Sequence, residues 1–192
     1  MNPSVLIIDD AHPVMLKKFA QAGFSVTHNE GMSIEEVHNS IANYDAVIVR
    51  SKIIADKNFF DRATKLSCIG RVGAGMETID IEYAASKGIA CYNSPEGNRD
   101  AVGEQAIAML LALMNNLCKA NSEVRSYMWD REGNRGIELK NRTVGIIGYG
   151  NMGGAFARKL SGFECKVIAY DKYKTGFSDE FVEECSLERI YA

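Results

Sequence analysis

Six consecutive residues, Gly148-Tyr149-Gly150-Asn151-Met152-Gly153, and one later carboxylate, Asp171, have the types and spacing to hold a charged nucleotide. The GxGxxG pattern follows the apolar run Thr143-Val144-Gly145-Ile146-Ile147, expected to be a buried strand, and leads into a helical stretch over residues 154–163. A second apolar run over residues 165–170 ends at Asp171, 23 positions after the first glycine (171 − 148 = 23). Each part has a physical job. Gly148 permits a tight strand-to-helix turn, Gly150 lets backbone amides approach a pyrophosphate, and Gly153 lets helix and strand pack closely. Free N–H groups of a helix starting near Asn151 face the phosphate. Asp171 accepts from a ribose diol and repels a 2′-phosphate, which favours NAD over NADP. FAD and S-adenosylmethionine sites also use glycine turns with a downstream acid. The plain alternatives are a turn that only packs the helix, and an Asp171 that caps a helix ahead of Lys172-Tyr173-Lys174.

A second cluster lies upstream. Gly73-Ala74-Gly75 follows an apolar run over residues 67–72, where small residues expose successive backbone N–H groups able to hold a carboxylate. Arg50 ends the run over residues 46–49, at the sheet edge where open α/β folds bind ligands, and a guanidinium there grips a phosphate or carboxylate. A simple turn and a solvated arginine are the alternatives. The three histidines, His12, His28 and His38, fall in the first two strand-helix units and read as surface or loop residues.

These residues need a frame, and the hydropathy pattern supplies one. Strands are predicted over residues 5–8, 24–27, 46–49, 67–72 and 89–92, with amphipathic helices near 13–22, 34–42, 58–64 and 81–87. Such alternation implies a parallel sheet covered by helices on both faces. Ser33 before Ile34-Glu35-Glu36 is a capping box. Residues 93–100 are turn-rich and mark either a domain boundary or a surface loop, dividing the chain into 1–97 and 98–192. One continuous helix is expected over residues 101–128, roughly 40 Å long. Being longer than one small sheet needs, it and the polar arm 129–141 are read as a homodimer surface, against the simpler reading of a core helix.

Composition narrows the partners. The 192 residues carry 46% apolar and 24% charged side chains and a net charge of −3, with no basic stripe for nucleic acid. The longest apolar run, residues 106–114, is too short to span a bilayer, so no membrane partner is expected. Val5-Leu6-Ile7-Ile8 gives way at once to Asp9-Asp10, which is no secretory signal. Cys68, Cys91, Cys118, Cys165 and Cys185 are scattered, and read as reduced, buried thiols in a cytoplasmic protein with no metal site.

Taken together, the motifs resemble the D-isomer-specific 2-hydroxyacid dehydrogenases. The shared segments are Val47-Ile48-Val49-Arg50-Ser51, Ile69 to Gly75 with Ile79-Asp80, Ala84-Ala85, Lys87-Gly88-Ile89, Asn93 to Asn98, Glu104 and the glycine motif. Glu77-Thr78 stands where the family usually has Asp-Asn, and Gly103 where it often has Ala. The resemblance implies a flavodoxin-like parallel-sheet substrate domain followed by the first half of a Rossmann dinucleotide-binding domain. It implies that Arg50 and Ser51 contact a substrate's distal phosphate, and that the amides of Val72, Gly73, Ala74 and Gly75 hold its carboxylate. Val102 would lie near the nicotinamide. The implied reaction moves hydride between C2 of a D-2-hydroxy acid and the nicotinamide C4 of NAD. The favoured acid is a phosphorylated three-carbon one, which would place the reaction at the start of serine biosynthesis. A cleft between the domains would hold the cofactor, closing about residues 93–100. The family's catalytic Arg, Glu or Asp, and His are expected beyond residue 192, so no catalytic base is assigned here. The competing reading is a non-catalytic NAD-binding module or an inactive relic of the same fold.

Overall fold

The computed structural model describes residues 2–192. The chain forms two compact units that meet in sequence at Gly97 and Asn98.

In the first unit the elements alternate: β1 (Ser4–Ile7), α1 (Pro13–Gln21), β2 (Ser25–His28), α2 (Ile34–Ser40), β3 (Ala46–Val49), α3 (Lys57–Arg62), β4 (Cys68–Arg71), α4 (Ile81–Ser86) and β5 (Ala90–Tyr92). All strand pairs are parallel, in the order β2-β1-β3-β4-β5. Strand pleating sorts side chains by parity. Leu6, Ile8, Val47, Val49 and Ile69 face a core shared with Val37, Phe59, Phe60 and Ala84 from α2, α3 and α4. Val5, Ile7 and Ala46 face the other side, where Met15, Leu16 and Phe19 of α1 pack. Helix starts are fixed by side-chain caps. Ser33 makes the full capping box with Glu36, while Asp56 and Asp80 accept from the third residue onward. Because strand order reverses between β1 and β3, the loops after them diverge and leave a crevice at their carboxyl ends.

The second unit holds α5 (Arg99–Met114), α6 (Leu117–Arg125), β6 (Thr143–Ile147), α7 (Asn151–Leu160), β7 (Lys166–Tyr170), β8 (Glu183–Glu184) and α8 (Leu187–Tyr191). A parallel sheet runs β6-β7-β8. Leu160, Val167 and Ala169 anchor its core, with Ile107, Leu110 and Leu111 of α5 packed on it. Gly103 is the one buried residue of α5. A Cβ there would come within 3.2 Å of the Ala155 backbone, so its missing side chain sets how closely α5 and α7 approach.

Several sequence expectations need correction. The helix over 101–128 is two helices, bent by 62° at Asn116, which adopts a left-handed φ of 52°. The arm causes the break: Ile137 N–H takes the Met114 carbonyl at 2.9 Å, and Asn116 Nδ2 donates to the Arg135 carbonyl. Among the described residues no single helix is long and apolar enough to cross a membrane. The strand before the glycine motif is not buried. Only Ile146 is, because β6 pairs with β7 alone and lies at the sheet margin. Three strands, not two, make up this sheet; two-residue β8 is too short for a hydropathy pattern to reveal. The cysteines are free thiols but none is fully buried, and Cys118 is exposed.

Candidate functional site

The glycine bend stands where the sequence puts it, between β6 and α7. Gly148 has φ 96°, a left-handed value that a side chain would strain. A Cβ on Gly153 would sit 2.0 Å from the Gly148 carbonyl oxygen, so helix and loop touch backbone to backbone. Gly150 has open space above it, with nothing within 4 Å of a built Cβ. The first intrahelical bond of α7 is made by Gly154 N–H on the Gly150 carbonyl at 3.0 Å. The amides of Asn151, Met152 and Gly153 therefore have no partner inside the helix and point out of its N-terminus. An anionic diphosphate fits this donor set and the clear space beside Gly150.

Asp171 follows β7 and reaches back to the bend. Its Oδ2 accepts from Tyr149 N–H at 2.7 Å, and its Oδ1 accepts from Tyr173 and Lys174 N–H at 2.8 and 3.1 Å. These amide bonds, that of Tyr173 first, hold its carboxyl below the usual range. Asp171 thus organises the loop and spends three acceptor positions doing so; no helix starts after it, so it is not the helix cap of the plain alternative. A carboxylate offers about four, which leaves one direction for a ribose hydroxyl.

A cavity of about 230 Å³ opens beside the bend, lined by Tyr149, Gly150 and Asn151 and by Arg99, Arg158 and Lys174. Three cations against the single carboxylate of Asp179 give it positive character. Sequence reading missed these cations. Arg158 lies seven residues after Asn151, two turns along the same helix face, and that spacing was the available signal. Tyr149 is buried, stacks on Phe177 at 4.9 Å, and donates its hydroxyl to Asp179 Oδ2 at 3.0 Å. Burial, then the Asp179 carboxylate, pushes its hydroxyl up to about 12. The neutral phenol is the stabilised form, so its contribution is complete below the ordinary value of 10.0 and fades as pH climbs toward about 12. Tyr149→Phe is expected to cost about 1 kcal/mol at neutral pH. It should also flatten the alkaline limb of stability against pH, as read by urea unfolding at several pH values. Val102 lies on the first turn of α5 and is 39% exposed.

In the first unit Arg50 and Ser51 are exposed just after β3, at the β1/β3 crevice. The loop after β4 is more constrained than a row of free amides. Val72 N–H is taken by the Val49 carbonyl at 2.8 Å and Gly73 N–H by the Arg71 carbonyl at 3.0 Å. Of the four expected donors, only Ala74 and Gly75 N–H have no partner among the described residues. Their loop is held from the carbonyl side by Ser94 N–H on Gly73 and Asn93 Nδ2 on Ala74. The histidines have structural tasks. His12 Nδ1 caps α1 at Val14 N–H, His28 Nε2 bonds the Asp9 carbonyl, and His38 packs on Phe59. Among the described residues no cluster of His, Cys, Asp or Glu could hold a metal.

Comparison with known proteins fits this frame. The profile for D-isomer specific 2-hydroxyacid dehydrogenase, catalytic domain, matches residues 5–191, and the chain belongs to that family. Members of the family are NAD(P)-dependent. Among curated relatives, the D-3-phosphoglycerate dehydrogenase of Archaeoglobus fulgidus is 34% identical over 169 residues, covering 88% of this chain and 32% of that protein. A glyoxylate reductase from Paecilomyes thermophila superposes with a TM-score of 0.84 at 20% identity, covering all of this chain and 62% of that one. An NAD-dependent formate dehydrogenase from Staphylococcus aureus, solved with NAD, gives 0.79 at 20% identity over 99% of this chain and 62% of that one. The chain thus spans about a third of the length of the curated relatives it matches.

Proposed function

We propose that the chain supplies the substrate-anion subsite and the diphosphate-ribose subsite of an NAD-dependent D-2-hydroxyacid dehydrogenase of the D-3-phosphoglycerate dehydrogenase type. The observation that carries this reading is the glycine bend with Asp171 bonded to it at 2.7 Å. The sheet order β2-β1-β3-β4-β5 supports a flavodoxin-like substrate domain, and β6-α7-β7 supports the first half of a Rossmann domain. NAD held at the bend would supply the hydride acceptor for oxidation at C2 of the acid. The chain's own residues bind and orient: Ala74 and Gly75 N–H take the carboxylate, and Arg50 with Ser51 takes the distal phosphate. The Asn151–Gly153 amides take the diphosphate, and Val102 flanks the nicotinamide. The remaining acceptor of Asp171 takes the ribose and selects NAD over NADP. No catalytic base is assigned to this chain. Dimerisation through α5, α6 and the arm is part of the same reading, supported by exposed Met109, Leu113, Leu117 and Trp129.

Titration with NADH, followed by nicotinamide fluorescence, tests the reading. Saturable binding, displaced by NAD and not by S-adenosylmethionine, is expected. Absence of saturation, or displacement by S-adenosylmethionine alone, overturns it.

A further inference from the structure

Arg50 is exposed, yet both polar groups of its own backbone are held by charged side chains from neighbouring strand ends. Its N–H donates to Asp9 Oδ2 at 2.7 Å, beyond β1. Its carbonyl accepts from Arg71 Nε at 3.1 Å, at the end of β4. The same Arg71 guanidinium donates through Nη1 to the Gly75 carbonyl and to Glu77 Oε2, 3.0 Å away. Its side chain is only 17% exposed, whereas that of Glu77 is 77% exposed. One rigid fork therefore ties the peptide carrying Arg50 to the loop presenting the free Ala74 and Gly75 amides. The Gly73, Ala74 and Gly75 carbonyls are all occupied, and the Glu77 carboxylate packs against Gly75, so the Ala74 and Gly75 amides are the polar groups of the loop left without a partner among the described residues.

We infer that Arg71 is a positioning residue that locks Arg50 and the Ala74–Gly75 amides into one frame, so that both anionic ends of a two-anion ligand are read together. The inference rests on the substrate reading given above. A planar guanidinium can bridge three acceptors in fixed directions, whereas an ammonium of the same charge cannot hold that geometry. Asp9 supports the frame from the β1 side through the Arg50 N–H.

The test is a double-mutant cycle on this chain, with D-3-phosphoglycerate as the probe and affinity read by NMR titration. Arg71→Gln should weaken binding about tenfold alone, and by less than about twofold in an Arg50→Gln background, because coupled residues are not additive. Arg71→Lys should bind nearly as weakly as Arg71→Gln. Equal losses in both backgrounds, or full rescue by lysine, overturn the proposal while leaving the substrate reading intact. An Arg50→Gln change without effect on affinity overturns the substrate reading itself, and the proposal with it. Should Arg71→Gln fail to fold, ligand-free Arg71→Lys decides. The amide resonances of Ser51 and Met76, which share peptides with the two clamped carbonyls, should shift. If they stay in place, there is no clamp.

Discussion

Gly153→Ala is expected to abolish measurable NADH binding and to destabilise the second unit by about 3 kcal/mol, the upper part of the range for overpacked sites. The reason is contact with main chain, not with a side chain that could swing away. The added Cβ would stand 2.0 Å from the Gly148 carbonyl oxygen and 3.3 Å from Ile146 Cγ2. Relief requires α7 to slide from β6, and the slide carries the Asn151–Gly153 amides out of the arc in which they meet a diphosphate. Urea unfolding reads the stability and fluorescence titration the binding. Gly150→Ala is the control. Its Cβ meets nothing within 4 Å, so the fold should tolerate it while a ligand approaching that backbone should not.

Asp171→Ala should produce the second large effect, a loss of at least about tenfold in NADH affinity, the size expected when a charged hydrogen-bond partner is removed. It should come with a narrowed preference for NADH over NADPH. Two consequences are combined here. The ribose loses its acceptor, and the amides of Tyr149, Tyr173 and Lys174 lose theirs, loosening the bend. Asp171→Asn separates them, since an amide oxygen keeps an acceptor but not the charge that repels a 2′-phosphate. pH gives an independent check. The folded carboxyl titrates below its ordinary value of 3.8, so its contribution is present above that value and is lost as pH falls through the lower, folded one. Wild-type stability should drop in that acid window, and the Asp171→Ala chain should show a shallower fall.

How much of this was legible beforehand depends on the length scale of each signal. Strand positions in the first unit were readable to within two residues, because parallel strands buried on both faces are short apolar runs such as Ala46–Val49. The glycine bend was readable because its roles rest on missing side chains, which sequence states directly. The 101–128 helix misled because an apolar stripe continues across Asn115-Asn116, while the bend is imposed by Ile137 and Arg135, some twenty residues later. The amides of Val72 and Gly73 misled for a similar reason: whether an N–H is free depends on partners that pattern cannot name. Arg71 sat within a recognised segment, but its role comes from reaching the Arg50 and Gly75 carbonyls at once, a property of three-dimensional proximity.

The marginal place of β6 carries a practical consequence. One side of this strand is hydrogen-bonded to β7; the other presents a bare ladder of donors and acceptors beside Ile147, which is 58% exposed. Such a ladder is the place where a further strand can add by backbone hydrogen bonds alone. Within these 192 residues the amides along that side should therefore exchange with solvent faster than those bonded to β7, a difference that native-state hydrogen exchange reads directly.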